Sequence, residues 1–423
     1  MATNPMTPII QTIRGFRDIY DKPYALMERV IQTATVVVKR YGFSGIELPL
    51  LEHTPVFKRS LGDTSDIVHK EMYSFLDRNN ESLTLRPEGT AGLVRAFIAN
   101  QMMQDLPKRF FYTGPMFRYD RPQKGRHRQF YQFGIECLGV DHPYADYECI
   151  KAAVDIFDEL EITGYTIHLN TLGDQDSRAR FNQAFQKFLQ GHKNDLSNDS
   201  QMRLITNPLR ILDSKDAGDQ RIIATGPRLK DYLSDVSKLF FDQVCTYLTN
   251  AQVPFQLDDN LVRGLDYYGH TSFEFKHSDL GAQSAFGGGG RYNGLVQLMG
   301  GSDISGIGFG LGIDRLMLLL EPQPFIEKAP VIVIPFEDAQ VGYALYIAYL
   351  LRLENIICEV SFKGKLAKDL KYAQKRNACH AVLIGPDEMA QESVTVKHMD
   401  GSCANQSVTA KQLVSVISSP KLP

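Results

Sequence analysis

Three groups of residues in this chain have the types and spacing to bind and activate a charged ligand. The first is Phe130-Tyr131-Gln132-Phe133-Gly134-Ile135-Glu136. In a strand, alternation puts Phe130, Gln132, Gly134 and Glu136 on one face and Tyr131, Phe133 and Ile135 on the other. The second face is apolar and suits a core. The first offers an aromatic plate, an amide, a gap and a carboxylate to a polar ligand, although an isolated strand of this kind is more often the solvated side of an antiparallel sheet. Just upstream, residues 108–128 carry seven Lys and Arg against one Asp, a local charge of +6 that includes Arg118, Arg126 and Arg128. A solvated hairpin usually mixes both signs, so this concentration calls for an anion.

The second group is Gly306, Gly308, Gly310 and Gly312, every second residue of one run. Strand period two places all four on one face, which lets a flat ligand approach the backbone closely. The plainer alternative is a weakened strand against which a helix packs. Arg315, in the first turn of the helix that follows, adds a guanidinium where a helix N-terminus already favours phosphate. The third group is Leu261-Val262-Arg263-Gly264-Leu265-Asp266-Tyr267-Tyr268, followed by Gly287-Gly288-Gly289-Gly290-Arg291-Tyr292. Here a forked cation stands beside phenolic hydrogen-bonding groups. Taken alone, a tyrosine pair is more often core, and four glycines are more often a turn.

The elements that must position these groups follow from hydrophobic periodicity. Residues 22–41 read as a long helix, 45–50 as a strand ending at Pro49, and 83–86, 109–112, 116–119 and 129–138 as strands of one antiparallel sheet. Residues 177–189, 201–212 and 229–248 read as helices of an insertion, after which strands return at 267–275 and 305–312 and a helix at 313–320. Pro322, Pro324 and Pro330 mark a linker. Beyond it, apolar runs alternate with helical stretches (331–335, 339–353, 356–361, 366–376, 381–384), which predicts a small α/β domain with a partly parallel sheet. In that domain, residues 363–376 carry a local charge of +5. Such a run is either a solvated helix face or a phosphate-binding footprint that includes Lys365 and Lys371.

Composition bounds the function. A length of 423 residues with 43% apolar content excludes wholesale disorder and predicts about three domains. Six scattered cysteines without a C-x-x-C pair fit reduced thiols, and neither a signal peptide nor an apolar run of about 18 residues is expected, which places the chain in the cytoplasm and off the membrane. A net charge of −3 excludes indiscriminate attraction to nucleic acid, leaving only local clusters for that purpose. No phosphate-binding P-loop or Rossmann glycine fingerprint occurs, and the histidines and cysteines show no zinc-ligand spacing.

These pieces together resemble the class II aminoacyl-tRNA synthetases and, within them, the histidyl-tRNA synthetase family, over essentially the whole chain. Gly42-Phe43-Ser44-Gly45-Ile46-Glu47-Leu48-Pro49 is similar to the first class motif, whose proline lies at a dimer interface; a homodimer is therefore implied. The stretch 109–136 is similar to motif 2 and 306–315 to motif 3. The third group above, with Leu85-Arg86-Pro87-Glu88-Gly89-Thr90, resembles the histidine-specific signature; Asn293 departs from it where many relatives carry Asp. The resemblance implies an α+β fold: an antiparallel class II catalytic core at 1–325 flanked by helices, a helical insertion at about 174–255, and an α/β anticodon-binding domain at 326–423.

It also implies a reaction, histidine plus ATP giving histidyl-adenylate and pyrophosphate, then transfer of histidine to the 3′ end of tRNA(His). By resemblance the catalytic residues are Arg118, Arg263 and Arg315. Arg118 would grip the α-phosphate, and Arg126 and Arg315 the outer phosphates with Mg²⁺; no zinc is expected. Phe130 would stack on adenine, whose other face meets the glycine strand at Gly310. Glu88, Thr90 and Gln132 would take the ammonium group of histidine, and Glu136, Tyr267 and Tyr268 its imidazole, with Arg118 and Arg263 completing that site. Gln123 and Arg128 would meet the tRNA acceptor end, which in this family carries an extra 5′ guanosine. The rival is a non-catalytic histidine-binding paralogue resembling the regulatory subunit of ATP phosphoribosyltransferase, expected to lack catalytic arginines and the last domain.

Overall fold

A computed structural model describes residues 9–62, 65, 67–261, 267–281, 284–320, 329–361 and 363–418. The chain divides into two compact units, Met1–Pro324 and Phe325–Pro423.

The strands of the larger unit are β1 (Ser44–Gly45), β2 (Leu51–His53), β3 (Tyr73–Leu76), β4 (Ser82–Leu85), β5 (Lys108–Phe117), β6 (Gln129–Leu138), β7 (Tyr165–Thr171), β8 (Gln256–Leu257), β9 (Gly269–His277), β10 (Ala285–Arg291) and β11 (Gly306–Gly312). Eight of them form one sheet in the order β1-β5-β6-β11-β10-β9-β7-β8. Its pairs are antiparallel except the short edge pairs β1 with β5 and β7 with β8. One face is closed by α1 (Asp21–Arg40), whose buried Val30, Ala34, Val37 and Val38 recur at helical spacing. With α4 (Pro143–Glu159) it covers Phe133 and Ile135 of β6 and Phe309 and Leu311 of β11, the apolar sides that strand alternation assigns to a core.

Two expectations are corrected here. Residues 83–86 do not join the main sheet: β4 pairs with β2 and β3 in a separate antiparallel sheet, where the buried Thr84 hydroxyl shares hydrogen bonds with Thr54 (2.8 Å) and Ser74 (2.7 Å). Residues 109–112 and 116–119 are not two strands, because Gly114, at φ 148°, lets β5 continue in register with β6 from Lys108 to Phe117.

The helices α2 (Thr54–Leu61) and α3 (Thr90–Ala99) precede β5, and between β7 and β8 lie α5 (Gln175–Gly191), α6 (Asn198–Thr206), α7 (Ala217–Ile223) and α8 (Asp235–Asn250). The helix expected over 201–212 breaks before Pro208, whose ring excludes the helical conformation from the residue before it. That expected over 229–248 breaks at Ser234, which starts α8 by accepting from the Ser237 N–H at 3.1 Å. The helices α9 (Leu295–Leu298) and α10 (Ile313–Leu320) complete the unit.

The smaller unit has strands β12 (Val331–Pro335), β13 (Cys358–Val360), β14 (His380–Ile384), β15 (Ser393–His398) and β16 (Gln406–Thr409), ordered β13-β12-β14-β15-β16. The first two pairings are parallel and the last two antiparallel. Its helices are α11 (Asp338–Leu353), α12 (Leu366–Lys375), α13 (Pro386–Ala390) and α14 (Ala410–Ser418). Ala344, Ile347, Ala348 and Leu351 of α11 pack on Val331 and Val333, whereas Ala373 of α12 packs with Ile332 and Ile334. Coverage of both faces is what makes β12 a continuous apolar run.

Candidate active site

Glu136 on β6 is 1% exposed, and its register brings a set of hydroxyls to it. Thr90, at the start of α3, donates its Oγ1–H to Oε1 at 2.6 Å; Tyr112 of β5 donates to the same oxygen at 3.4 Å; Tyr292, just past β10, donates to Oε2 at 2.6 Å. Burial, set against these donors, lifts the carboxyl from 4.5 to about 8. Tyr267 and Tyr268 lie nearby with ring centroids 4.7 Å apart and their planes tilted by 49°, and the Tyr267 ring meets Tyr292 edge-on at 5.9 Å. Glu88 accepts the Thr90 and Ala91 backbone N–H groups at 2.7 and 2.8 Å, so it caps α3 as well as lining the same buried region. Burial raises its pKa too.

The alternating glycines have a different use from the one expected. A Cβ on Gly308 would collide with the Glu136 carboxylate, one on Gly306 with the Tyr292 ring, and one on Gly310 with the Gln132 amide. Most of the glycine face is therefore filled by the chain's own polar side chains, rather than left bare for a ligand. The expected open face survives only at Gly312, where the strand borders a cleft that Gly310 and Gln132 also line.

That cleft, about 340 Å³, adjoins Arg118, Arg126, Phe130, Gln132 and Arg315. Its size is that of a small-molecule site. Arg118 donates from Nε to the Pro87 carbonyl at 2.8 Å, and its guanidinium lies 5.4 Å from the centre of the Phe130 ring. Arg315 donates to the Ala285 carbonyl, and its Nε is buried with no hydrogen-bond partner. Burial and then the neighbouring Arg126 charge pull the Arg315 pKa down. Of the carboxylates lining the cleft, Asp120 is paired with Arg126 at 2.9 Å, Asp314 is paired with Arg17 at 2.6 Å, and Glu274 offsets the Arg315 charge only in part, so an anion between Arg126 and Arg315 is favoured. The Gln132 Oε1 is likewise buried without a partner, an acceptor that an ammonium group would satisfy.

The other expected residues divide. Arg263 lies outside the described residues, as do its neighbours at 262–266. Arg128 sits over the Tyr119 ring at 3.6 Å and donates to the Asp120 carbonyl at 3.3 Å, so its head group is taken up within the loop. Gln123 is exposed and bridges to Arg126 through the backbone. In the smaller unit Lys365 and Lys371 are exposed at α12, together with Lys368 and Lys375, whereas Arg376 is paired with Glu359 at 2.6 Å. Strand reasoning missed two residues, Tyr112 and Tyr292. Tyr112 stands opposite Gly134, where a Cβ would collide with its ring, a match that exists only once β5 is registered against β6. Arg291, quoted with the histidine signature, is 0% exposed; it is bound to the equally buried Asp146 and to the Val140 and His142 carbonyls at 2.9 and 3.3 Å, which makes it a clamp between β10 and α4.

A mostly antiparallel sheet with a basic hairpin, a glycine strand running into an arginine-bearing helix, and a partly parallel α/β unit is the architecture of a class II aminoacyl-tRNA synthetase. A family model described as histidyl-tRNA synthetase matches residues 15–175 and 197–316, and one described as an anticodon binding domain matches 330–419. The chain is 45% identical over 392 residues to a histidine–tRNA ligase of Rhodospirillum rubrum, covering 92% of this chain and 94% of that one. It is 45% identical over 403 residues to that of Gluconacetobacter diazotrophicus, covering 95% and 97%. Apo S. aureus histidyl-tRNA synthetase matches it with a TM-score of 0.81 at 31% identity, over 96% of this chain and 99% of that chain. The chain belongs to the histidyl-tRNA synthetase family.

Proposed function

We propose that the protein is a histidine–tRNA ligase: it transfers the adenylyl group of MgATP to the carboxylate of L-histidine, releasing pyrophosphate, and then passes the histidyl group to the 3′ end of tRNA(His), releasing AMP. The observation that carries this reading is Glu136, a buried carboxyl ringed by three hydroxyls on the same strand as Phe130 and Gln132, which line a cleft with Arg118, Arg126 and Arg315. An imidazole, able to donate and accept, suits such a group; an apolar side chain would leave it unmatched.

In the first step a histidine carboxylate oxygen attacks the α-phosphorus, and the bond to pyrophosphate breaks. Two anions must meet, so positioning and cations supply the catalysis. Arg118 is assigned to the α-phosphate and Arg126 and Arg315 to the outer phosphates, with Mg²⁺ arriving on ATP, since phosphate oxygens and water are its preferred ligands. Among the described residues no group of three or more His, Cys, Asp or Glu is set to hold a metal ion of its own. Phe130 is assigned to adenine; Glu88, Thr90 and Gln132 to the ammonium; Glu136, Tyr267 and Tyr268, with Tyr112 and Tyr292, to the imidazole. Arg263 keeps the reacting-centre role that the family resemblance gives it. Gln123, Lys365 and Lys371 are assigned to tRNA, the chain to a homodimer through residues 42–49, and its place to the cytoplasm; no helix among the described residues is long and apolar enough to cross a membrane.

The regulatory rival loses ground because Arg118 and Arg315 line the cleft and an anticodon-type domain follows. Aminoacylation of tRNA(His) with labelled histidine is the test. Charging is expected, whereas histidine binding without charging would favour the rival.

A further inference from the structure

The helical segment after β7 reaches the edge of the buried tyrosine pair through Arg178 on α5. Its Nη1 donates to the Tyr268 carbonyl at 2.8 Å. The main chain is irregular there: Gly290 of β10 pairs with Ser272, but the next residue, Arg291, pairs with Gly269, and His270 stands at φ 46°. A bulge of this kind re-aims the side chains beside it and has few ladder hydrogen bonds of its own to fix it. The turn after β7 grips it from both sides. Gly173 O accepts the His270 N–H at 2.9 Å, Leu172 N–H donates to His270 O at 2.7 Å, and Arg178 takes the Tyr268 carbonyl. A Cβ on Gly269 would sit 3.6 Å from the guanidinium, so the chain passes close beneath it.

The helix start that carries Arg178 is anchored. One turn earlier Asp174 accepts from the Ser177 N–H at 2.7 Å and from the Ser234 and Ser237 hydroxyls, tying the starts of α5 and α8 together. Yet the Arg178 Nε is buried with no hydrogen-bond partner, an arrangement poor for stability and reasonable for a group retained to hold one carbonyl in place.

We propose that Arg178 is a positioning residue for histidine, fixing the main chain at Tyr268 so that the Tyr267–Tyr268 pair is set against Glu136. Occupancy of the amino-acid pocket is thereby linked to the docking of the helical segment. The inference rests on the assignment of Tyr268 to the imidazole site.

The test is ATP–pyrophosphate exchange on the full chain with Arg178→Met and Arg178→Lys. Arg178→Met is expected to raise the histidine KM by about tenfold while the ATP KM stays within about twofold, the pattern of a lost orienting hydrogen bond rather than a lost fold. Arg178→Lys, able to place one N–H on the same carbonyl, is expected to recover most of that loss. An unchanged histidine KM in Arg178→Met, equal rises in both KM values, or a histidine KM as high in Arg178→Lys as in Arg178→Met would overturn the proposal. Should Arg178→Met not fold, Arg178→Gln, whose amide stops short of the carbonyl, carries the same comparison. If wild-type protein exchanges histidine and Glu136→Ala loses it while Arg178→Met behaves as wild type, only this inference fails. If wild type shows no histidine-dependent exchange, the functional reading itself fails.

Discussion

The proposed imidazole site turns on Glu136, a buried carboxyl that accepts from three hydroxyls. Replacing it with alanine is expected to lower histidine-dependent kcat/KM in exchange by roughly a hundredfold with little change in the ATP KM, because hydroxyls built around a carboxyl are left unmatched. Near wild-type exchange would remove Glu136 from the imidazole site. Its pKa of about 8 adds a pH signature. A free imidazole titrates near 6.5, and one proton shared between the two groups leaves no unpaired charge. The histidine KM is therefore expected to be lowest between about pH 6.5 and 8 and to rise above 8, where neither partner holds the proton; the upper limb should vanish in Glu136→Gln, and a flat wild-type profile to pH 9 would contradict the assignment. For stability the sign is opposite to that of a paired carboxylate. The folded-state value lies above the ordinary 4.5, the unfolded chain ionises first, and this group's contribution falls as pH rises from about 4.5 to about 8. At this scale the sharing of one strand face by Phe130, Gln132 and Glu136 was legible from alternation, while the roles proposed for them rest on the family resemblance. Tyr112 was not, since its contact with Glu136 depends on how β5 registers against β6 and no local pattern carries that.

Among the elements, long helices and fully paired strands were readable because their periodicity repeats over many residues. The errors fall where a local signal cannot name a partner. Alternation made 83–86 a strand but could not say which sheet it joins, and only Pro208 and Ser234 reveal that two helical runs are interrupted. The glycines of β11 were recognised as a bare face, but what occupies it comes from β6 and the Tyr292 turn, both distant in sequence. The Arg291–Asp146 pair belongs to the same scale, joining β10 to α4 with both side chains fully buried. Arg291→Met is expected to destabilise the catalytic unit by about 3–5 kcal/mol by stranding the Asp146 carboxylate. Urea unfolding followed by a probe in that unit checks this; a loss under about 1 kcal/mol would mean that the carboxylate finds water or another donor.

For the whole molecule, a net charge of −3 conceals two basic stretches, 108–128 and 363–376, one bordering the cleft lined by Arg118, Arg126 and Arg315 and one on the smaller unit. Of the second, Lys365, Lys368, Lys371 and Lys375 remain exposed, a footprint suited to phosphates. Removing residues 328–423 is expected to depress tRNA charging far more than adenylate formation; equal loss of both would assign the smaller unit a structural role instead. ATP–pyrophosphate exchange run separately with each of the twenty amino acids tests histidine specificity directly. Exchange is expected with histidine alone; exchange with none, or with another amino acid in its place, would remove the histidine–tRNA ligase reading.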